Sequence, residues 1–85
     1  MLTTIRRPVI KRCPFTDETD IGEIVINFDG PAPELHELGN KINALCRHAI
    51  SHEDFTAGVA ALVPGATVKT AWQTGSWSVE VTENG

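Results

Sequence analysis

Hydrophobic and polar positions alternate at the two ends of the chain and follow a helical period between them. Residues 22–28, which read GEIVINF, place apolar side chains on one face and mostly polar ones on the other. Such alternation is typical of a half-buried antiparallel strand. Residues 4–12 predict a strand before it, in which Pro8 favours an edge position because proline cannot donate to a ladder.

Two helices are predicted in the middle of the chain. The first begins near Pro33, which suits a first helical turn. Its apolar positions are Leu35, Leu38, Ile42, Leu45 and Ala49. The second begins at Ser51, since S-H-E-D places an acidic Asp54 three residues after a serine that can cap the helix. Its apolar stripe is Phe55, Val59 and Leu62, and Pro64–Gly65 ends it.

The last third of the chain predicts a β-hairpin. Residues 68–72 and 77–81 alternate on either side of a Q-T-G-S turn, as hairpin strands do. The order is therefore ββααββ. We predict an α+β fold in one domain, residues 1–85, with a four-stranded antiparallel sheet and two helices on one face.

Size and composition narrow the class of protein. A chain of 85 residues buries only about 60% of its unfolded surface, so we expect a homo-oligomer. No apolar run reaches the roughly 18 residues of a membrane span, and the N-terminus lacks the apolar region of a signal peptide. These features predict a cytoplasmic protein with no membrane partner.

The metal-binding and redox side chains match no known spacing. Cys13 and Cys46 form no CxxC pair, which favours reduced thiols. His36, His48 and His52 fit no zinc spacing. We therefore expect no metal.

The charge is uneven along the chain. The net charge is -4, yet four of the seven basic residues lie close together near the N-terminus. They are Arg6, Arg7, Lys11 and Arg12. Two interpretations remain open, a solubilising edge strand and a patch that contacts phosphates.

Three groups of residues are candidates for chemistry. Cys13 and Asp20 form a C-P-x-T-x-x-x-D motif, in which a thiolate could act as nucleophile and a carboxylic acid as proton donor. His52 and Glu53 open the second helix, and Glu34 opens the first. The simpler interpretation is a buried cysteine and acidic residues that complement helix dipoles. The functional interpretation is a site for a guanine-like base.

Together these residues resemble one family. CPFTDETDIGEIVINF is similar to the nucleophile segment of the NADPH-dependent 7-cyano-7-deazaguanine reductases, the QueF family. The resemblance implies that Cys13 adds to the substrate nitrile as a thioimide and that Asp20 donates a proton. The family's base-binding His-Glu pair matches His52 and Glu53, and the Glu of its E-S-K-S-x-K motif matches Glu34. The similarity covers about residues 10–85 and implies a T-fold whose subunits assemble into a barrel.

The departures from the family motif concern the cofactor. In place of the two lysines that the family uses for the nicotinamide cofactor stand His36 and Gly39, and the loop at 74–76 reads TGS. A cofactor with a 2′-phosphate needs cations nearby. The chain therefore looks closer to the QueF-like amidinotransferases, which lack the NADPH-binding motif. These convert the nitrile to an amidine with ammonia, on a base within tRNA. We accordingly expect no cofactor, with ammonia as co-substrate and a 7-deazaguanine base, free or within tRNA or DNA, as partner.

Three alternatives stay open at this point. The first is a nitrile reductase whose NADPH is held by other residues, such as Lys41 or Arg47. The second is a non-catalytic binder of a purine-like base. The third is a small structural module in which Cys13 is buried.

Overall fold

The computed structural model describes all residues from Met1 to Gly85 as a four-stranded antiparallel sheet with two helices on one face. The elements are β1 Leu2–Arg12, β2 Thr19–Asp29, α1 Leu35–Leu45, α2 His52–Leu62, β3 Thr67–Thr74 and β4 Trp77–Asn84. The strands lie in the order β1-β2-β3-β4. The predicted ββααββ order and the edge position of Pro8 are confirmed. No helix has the length and apolar character needed to cross a membrane.

The strand register decides which side chains face the helices. Lys11 lies opposite Asp20, and Gly22 lies between Val9 on β1 and Trp72 on β3. Because directly opposed residues share a face, all five belong to the helix-facing side of the sheet. This side forms the core with both helices. The core residues are Val9, Ile24, Ile26, Leu38, Ile42, Phe55, Val59, Ala60, Ala66, Val68 and Trp72.

The ends of the helices depend on their caps. Ser51 caps α2, where its hydroxyl accepts a hydrogen bond of 3.0 Å from the Asp54 N–H, as predicted. Glu34 caps α1, so Pro33 precedes the helix and does not lie in its first turn. The prediction that α1 extends to Ala49 is wrong. The helix ends at Leu45, and the chain then runs back toward β1.

Gly22 permits a close approach between β2 and β3. A Cβ atom at this position would collide with the Trp72 ring and with the Ala71 carbonyl oxygen. The absent side chain lets the indole lie flat across β2. The Trp72 ring therefore lies toward the end of the sheet at which a turn joins β1 to β2.

Candidate active site

Cys13 lies in the turn that joins β1 to β2. Its N–H donates to the Glu18 carbonyl at 2.8 Å, and the Asp17 N–H donates to the Cys13 carbonyl at 2.9 Å. Asp17 adopts a φ of 58°, a left-handed conformation that aspartate tolerates better than most residues. Cys13 is half-buried and free of any disulfide. The turn therefore presents a reduced thiol at the end of the sheet.

The turn also stabilises the negative form of the thiol. The hydroxyl of Thr16 and the backbone N–H groups of Phe15 and Thr16 lower the pKa of Cys13, while partial burial and the charge of Asp20 oppose them. Hydrogen bonds to an anion favour it over the neutral form. Cys13 therefore carries more thiolate at neutral pH than an ordinary cysteine, which makes it a better nucleophile.

Asp20 is paired with a buried lysine. The Lys11 Nζ donates to Asp20 Oδ2 and to the Ile50 carbonyl, each at 2.8 Å. It also lies 4.6 Å from the centre of the Trp72 ring. The Lys11 side chain is 0% exposed and that of Asp20 is 9% exposed. A buried ammonium needs such partners, because an unpaired charge in the interior is very unfavourable.

The four N-terminal cations therefore do not form one patch, and both interpretations offered for them are wrong for Lys11. Alternation along β1 turns Lys11 and Arg7 toward the helices, and Arg7 donates to the Gly39 carbonyl at 3.2 Å. Arg6 and Arg12 point the other way and pair with exposed carboxylates. Val9 and Ile5, two and six residues before Lys11, share its face. That alternation was the sequence signal for a buried Lys11.

His52 lies against the same cluster. Its ring stacks on Trp72 with centroids 4.8 Å apart and planes at 13°. Its Nδ1 lies 4.0 Å from Asp20 Oδ2 and has no hydrogen-bond partner, while Nε2 is 3.4 Å from the Thr74 hydroxyl. Burial, followed by the charge of Lys11, lowers the pKa of His52 against the opposing effects of Asp20 and Glu53. The ring is therefore neutral at pH 7.

Two buried threonines hold this arrangement in place, and sequence reasoning missed both. The hydroxyls of Thr56 and Thr70 are 2.6 Å apart. Thr56 also donates to the His52 carbonyl at 2.7 Å, and Trp72 Nε1 donates to Thr70 at 2.9 Å. The stacked pair His52–Trp72 is thus tied to the core through both of its members. The available sequence signal was that Thr56 in α2 and Thr70 in β3 each occupy a position at which the apolar pattern of the element predicts a buried side chain.

The predicted base-binding glutamates lie apart from each other. Glu53 is exposed in the first turn of α2, beside His52. Glu34 caps the far end of α1, where hydrogen bonds from the Glu37 and His36 N–H groups hold its pKa below the usual value. α1 has 11 residues and is about 16 Å long. Within one chain, Asp20 and His52 therefore lie side by side, Cys13 occupies the adjoining turn, and Glu53 follows His52, whereas Glu34 lies at the other end of α1.

Other candidates for cofactor or metal binding have local roles. Lys41 pairs with Glu37 at 3.1 Å on the surface of α1, and Arg47 is exposed. No group of three or more His, Cys, Asp or Glu side chains is arranged to hold a metal ion. The chemistry available at this end of the sheet is therefore that of a thiolate, a carboxylate–ammonium pair and a neutral imidazole.

Comparison with known proteins identifies the fold. No family model matches the chain, and no curated protein matches it by sequence. Among solved structures, the chain is similar to the archaeosine synthase QueF-Like in the apo form, with a TM-score of 0.85. The match covers 96% of this chain and 90% of that chain. The fold is the T-fold.

The structural match and the sequence motifs agree on the fold. At 18% sequence identity the likeness establishes the path of the backbone, and it confirms the fold that the motif resemblance implied. A shared fold does not by itself carry an activity. The chemistry has to be argued from the side chains at the site.

Proposed function

We propose that this protein is an enzyme that modifies a 7-deazaguanine base, and that Cys13 captures the nitrile of 7-cyano-7-deazaguanine as a thioimide. The position of Cys13 carries the proposal. In a T-fold, the thiol lies in a turn whose hydroxyl and amide groups favour the thiolate, next to the strand position of Asp20. A buried structural cysteine would not be held in this way.

The first step is an addition. The Cys13 sulfur forms a bond to the nitrile carbon, one π bond of the C≡N group breaks, and the nitrogen takes up a proton. That proton balances the one lost by the thiol. Asp20 is the group that accepts it from sulfur and returns it to nitrogen, since its carboxylate belongs to the same turn-bounded hairpin and general acids and bases must lie within reach of the reacting atoms.

The second step that we favour is amidination. Ammonia attacks the thioimide carbon, the C–S bond breaks, and Cys13 leaves as a thiolate. The three protons of ammonia stay on the product, which is a protonated amidine, so no oxidant or reductant is required. The alternative, hydride transfer from NADPH, needs cations for the cofactor phosphate. His36 and Gly39 stand at the two cofactor positions, and the side chain of His36 is 98% exposed. This departure supports ammonia as the second substrate, with no cofactor.

The base-binding groups in this proposal are His52, Glu53 and Glu34. His52 and Glu53 lie beside Cys13's end of the sheet, where a carboxylate can accept hydrogen bonds from a guanine-like edge. Because Glu34 lies at the far end of α1, its part in the same site requires a second subunit. We propose a site shared between copies of this chain, acting on the base as a free molecule or within tRNA or DNA.

Intact-mass spectrometry tests the capture step. After incubation with 7-cyano-7-deazaguanine, the wild-type protein should gain the mass of one nitrile compound per chain. Cys46→Ala should give the same adduct, and Cys13→Ala should give none. Absence of the adduct in the wild-type protein at saturating nitrile would rule out thioimide chemistry, and ligand binding without an adduct would leave a base-binding protein.

Addition of a second substrate then separates the two reactions. With ammonium present, we expect the adduct to decay to the amidine. With NADPH, we expect no decrease in nicotinamide absorbance. Consumption of NADPH together with formation of 7-aminomethyl-7-deazaguanine would show that the protein is a reductase and that amidination is wrong.

A further inference from the structure

The side chain of Lys11 is fully buried, unlike the lysine of an ordinary surface ion pair. Its three ammonium contacts are Asp20 Oδ2, the Ile50 carbonyl and the face of the Trp72 ring. These partners use the full donor capacity of the group. An apolar side chain at this helix-facing position would avoid the unfavourable removal of a charge from water. The presence of a charged Lys11 at this position therefore calls for an explanation in terms of its neighbours.

Two nitrogen-bearing side chains face the Asp20 carboxylate. Lys11 contacts Oδ2 at 2.8 Å, whereas His52 Nδ1 stands 4.0 Å from the same oxygen without any partner. The second oxygen of Asp20 takes part in no hydrogen bond within the chain. With Lys11 in place, the carboxylate has one oxygen held and one free, and the imidazole is left outside the ion pair.

We propose that Lys11 is a positioning residue for the reaction at Cys13. It holds Asp20 by one oxygen, leaves the other free for proton transfer, and excludes His52 from the ion pair so that the ring stays neutral. This inference rests on the proposed function, since it assigns Lys11 a part in the same addition to the nitrile. Lys11 itself forms no bond to the substrate.

The charges around His52 determine what the loss of Lys11 would do. Lys11 faces the ring from β1, Asp20 from β2, and Glu53 from its own helix. β3 contributes only the uncharged Trp72 and Thr74. Removal of Lys11 eliminates the one like charge and frees Asp20 to attract a proton to the ring. Both changes favour imidazolium, so they act in the same direction.

The first experiment follows the protonation of His52 by NMR in the wild-type protein and in Lys11→Met. The chain has three histidines, so each ring signal can be assigned by single replacement. We expect the His52 midpoint to rise by about one pH unit or more, equivalent to a tenfold change in proton affinity. Arg6→Met is the matched control, because Arg6 lies on the same strand but is exposed, and its midpoint should equal the wild-type value. An unchanged midpoint in folded Lys11→Met would overturn the proposal.

A second variant covers the case in which an unpaired buried Asp20 prevents folding. Lys11→Met/Asp20→Asn removes both charges and keeps similar side-chain volumes. The double variant removes the like charge that faces the ring from β1 and the opposite charge 4.0 Å from it, so the midpoint should lie below that of Lys11→Met and above that of Asp20→Asn alone. A midpoint equal to that of Asp20→Asn would contradict the inference.

The rate of nitrile-adduct formation gives the functional readout. Lys11→Met should form the adduct at least about tenfold more slowly, with the greatest loss below the raised His52 midpoint. Arg6→Met should match the wild-type rate. If the wild-type protein forms no adduct, the proposed function fails while the His52 titration still reports on Lys11. If the wild-type protein forms the adduct and Lys11→Met forms it at the same rate, the positioning role is refuted and the proposed function stands.

Discussion

Cys13 and Cys46 lie in two environments that shift the thiol pKa in opposite directions. Thr16 and two backbone N–H groups lower the pKa of Cys13. Burial raises the pKa of Cys46, and the charges of Lys11 and Arg7 offset this only in part. Thiolate character therefore belongs to Cys13. Reactivity at neutral pH should differ between the two thiols for reasons that are local to each.

Thr16 is the residue through which the reactivity of Cys13 can be changed. In a Cys46→Ala background, Thr16→Val removes the hydroxyl that contributes most to the lowered pKa. The thiol pKa should rise, so the alkylation rate by iodoacetamide at pH 7 should fall several-fold, and the pH profile should shift to higher pH. Thr16→Ser keeps the hydroxyl and should keep the wild-type profile. Equal profiles for the Val and Ser variants would show that the hydroxyl does not stabilise the thiolate.

At the scale of elements, the site depends on how β2 and β3 meet under α2. Gly22 lets Trp72 lie across β2, and Trp72 in turn contacts Phe55 edge-on, with ring centroids 5.6 Å apart. Ser51 caps α2 immediately before His52. The position of the imidazole is therefore determined by a strand-to-strand contact and a helix start together.

Two glycine-to-alanine changes should have opposite effects on stability. Gly22→Ala places a methyl group against the Trp72 ring, and such overpacking destabilises by about 1–3 kcal/mol. Gly39→Ala meets only the flexible end of Arg7, and an alanine within a helix is favoured by about 1 kcal/mol over glycine. Urea unfolding measures both. A Gly22→Ala variant as stable as the wild-type protein would contradict the close packing of Trp72.

At the scale of the whole molecule, the single chain leaves much of its apolar surface uncovered. Only 15 of its 85 residues are buried, and β1 and β4 are both free edges of the sheet. Large exposed apolar side chains include Leu2, Ile10, Phe15, Ile21 and Trp77. Trp77 is 75% exposed because it follows the turn at the end of the last hairpin. Unpaired strand edges and apolar surface of this kind favour association.

We therefore predict that the protein assembles and that its site is complete only in the assembly. Sedimentation at micromolar concentration should give a particle larger than 9.2 kDa. The rate of adduct formation per chain should fall on dilution below the concentration at which the particle dissociates. A stable monomer that forms the adduct at an undiminished rate would show that one chain suffices and that Glu34 has no part in the site.

The sequence by itself determined the element order and the core of this protein. Alternation and helical period are local properties of the backbone, and the side chains of Ile24, Val59 and Val68, among others, are buried as those patterns predict. The motif that joins Cys13 to Asp20 lies within one hairpin, so the sequence could place the two residues near each other, while their roles are implied by the family resemblance. The end of α1 was predicted too far along the chain, because its stop depends on a contact of the following segment with β1.

Only the tertiary structure decided the surroundings of Asp20. Lys11 contacts the Ile50 carbonyl, 39 residues away in the sequence, and it contacts Trp72 on β3 across the intervening strand β2. These contacts require the register of the whole sheet and the position of α2 at once. A slip of one residue in β1 would turn Lys11 to the opposite face. The turn that holds Cys13 could therefore be predicted from the sequence, whereas the charges that act on its neighbours depend on the assembled fold.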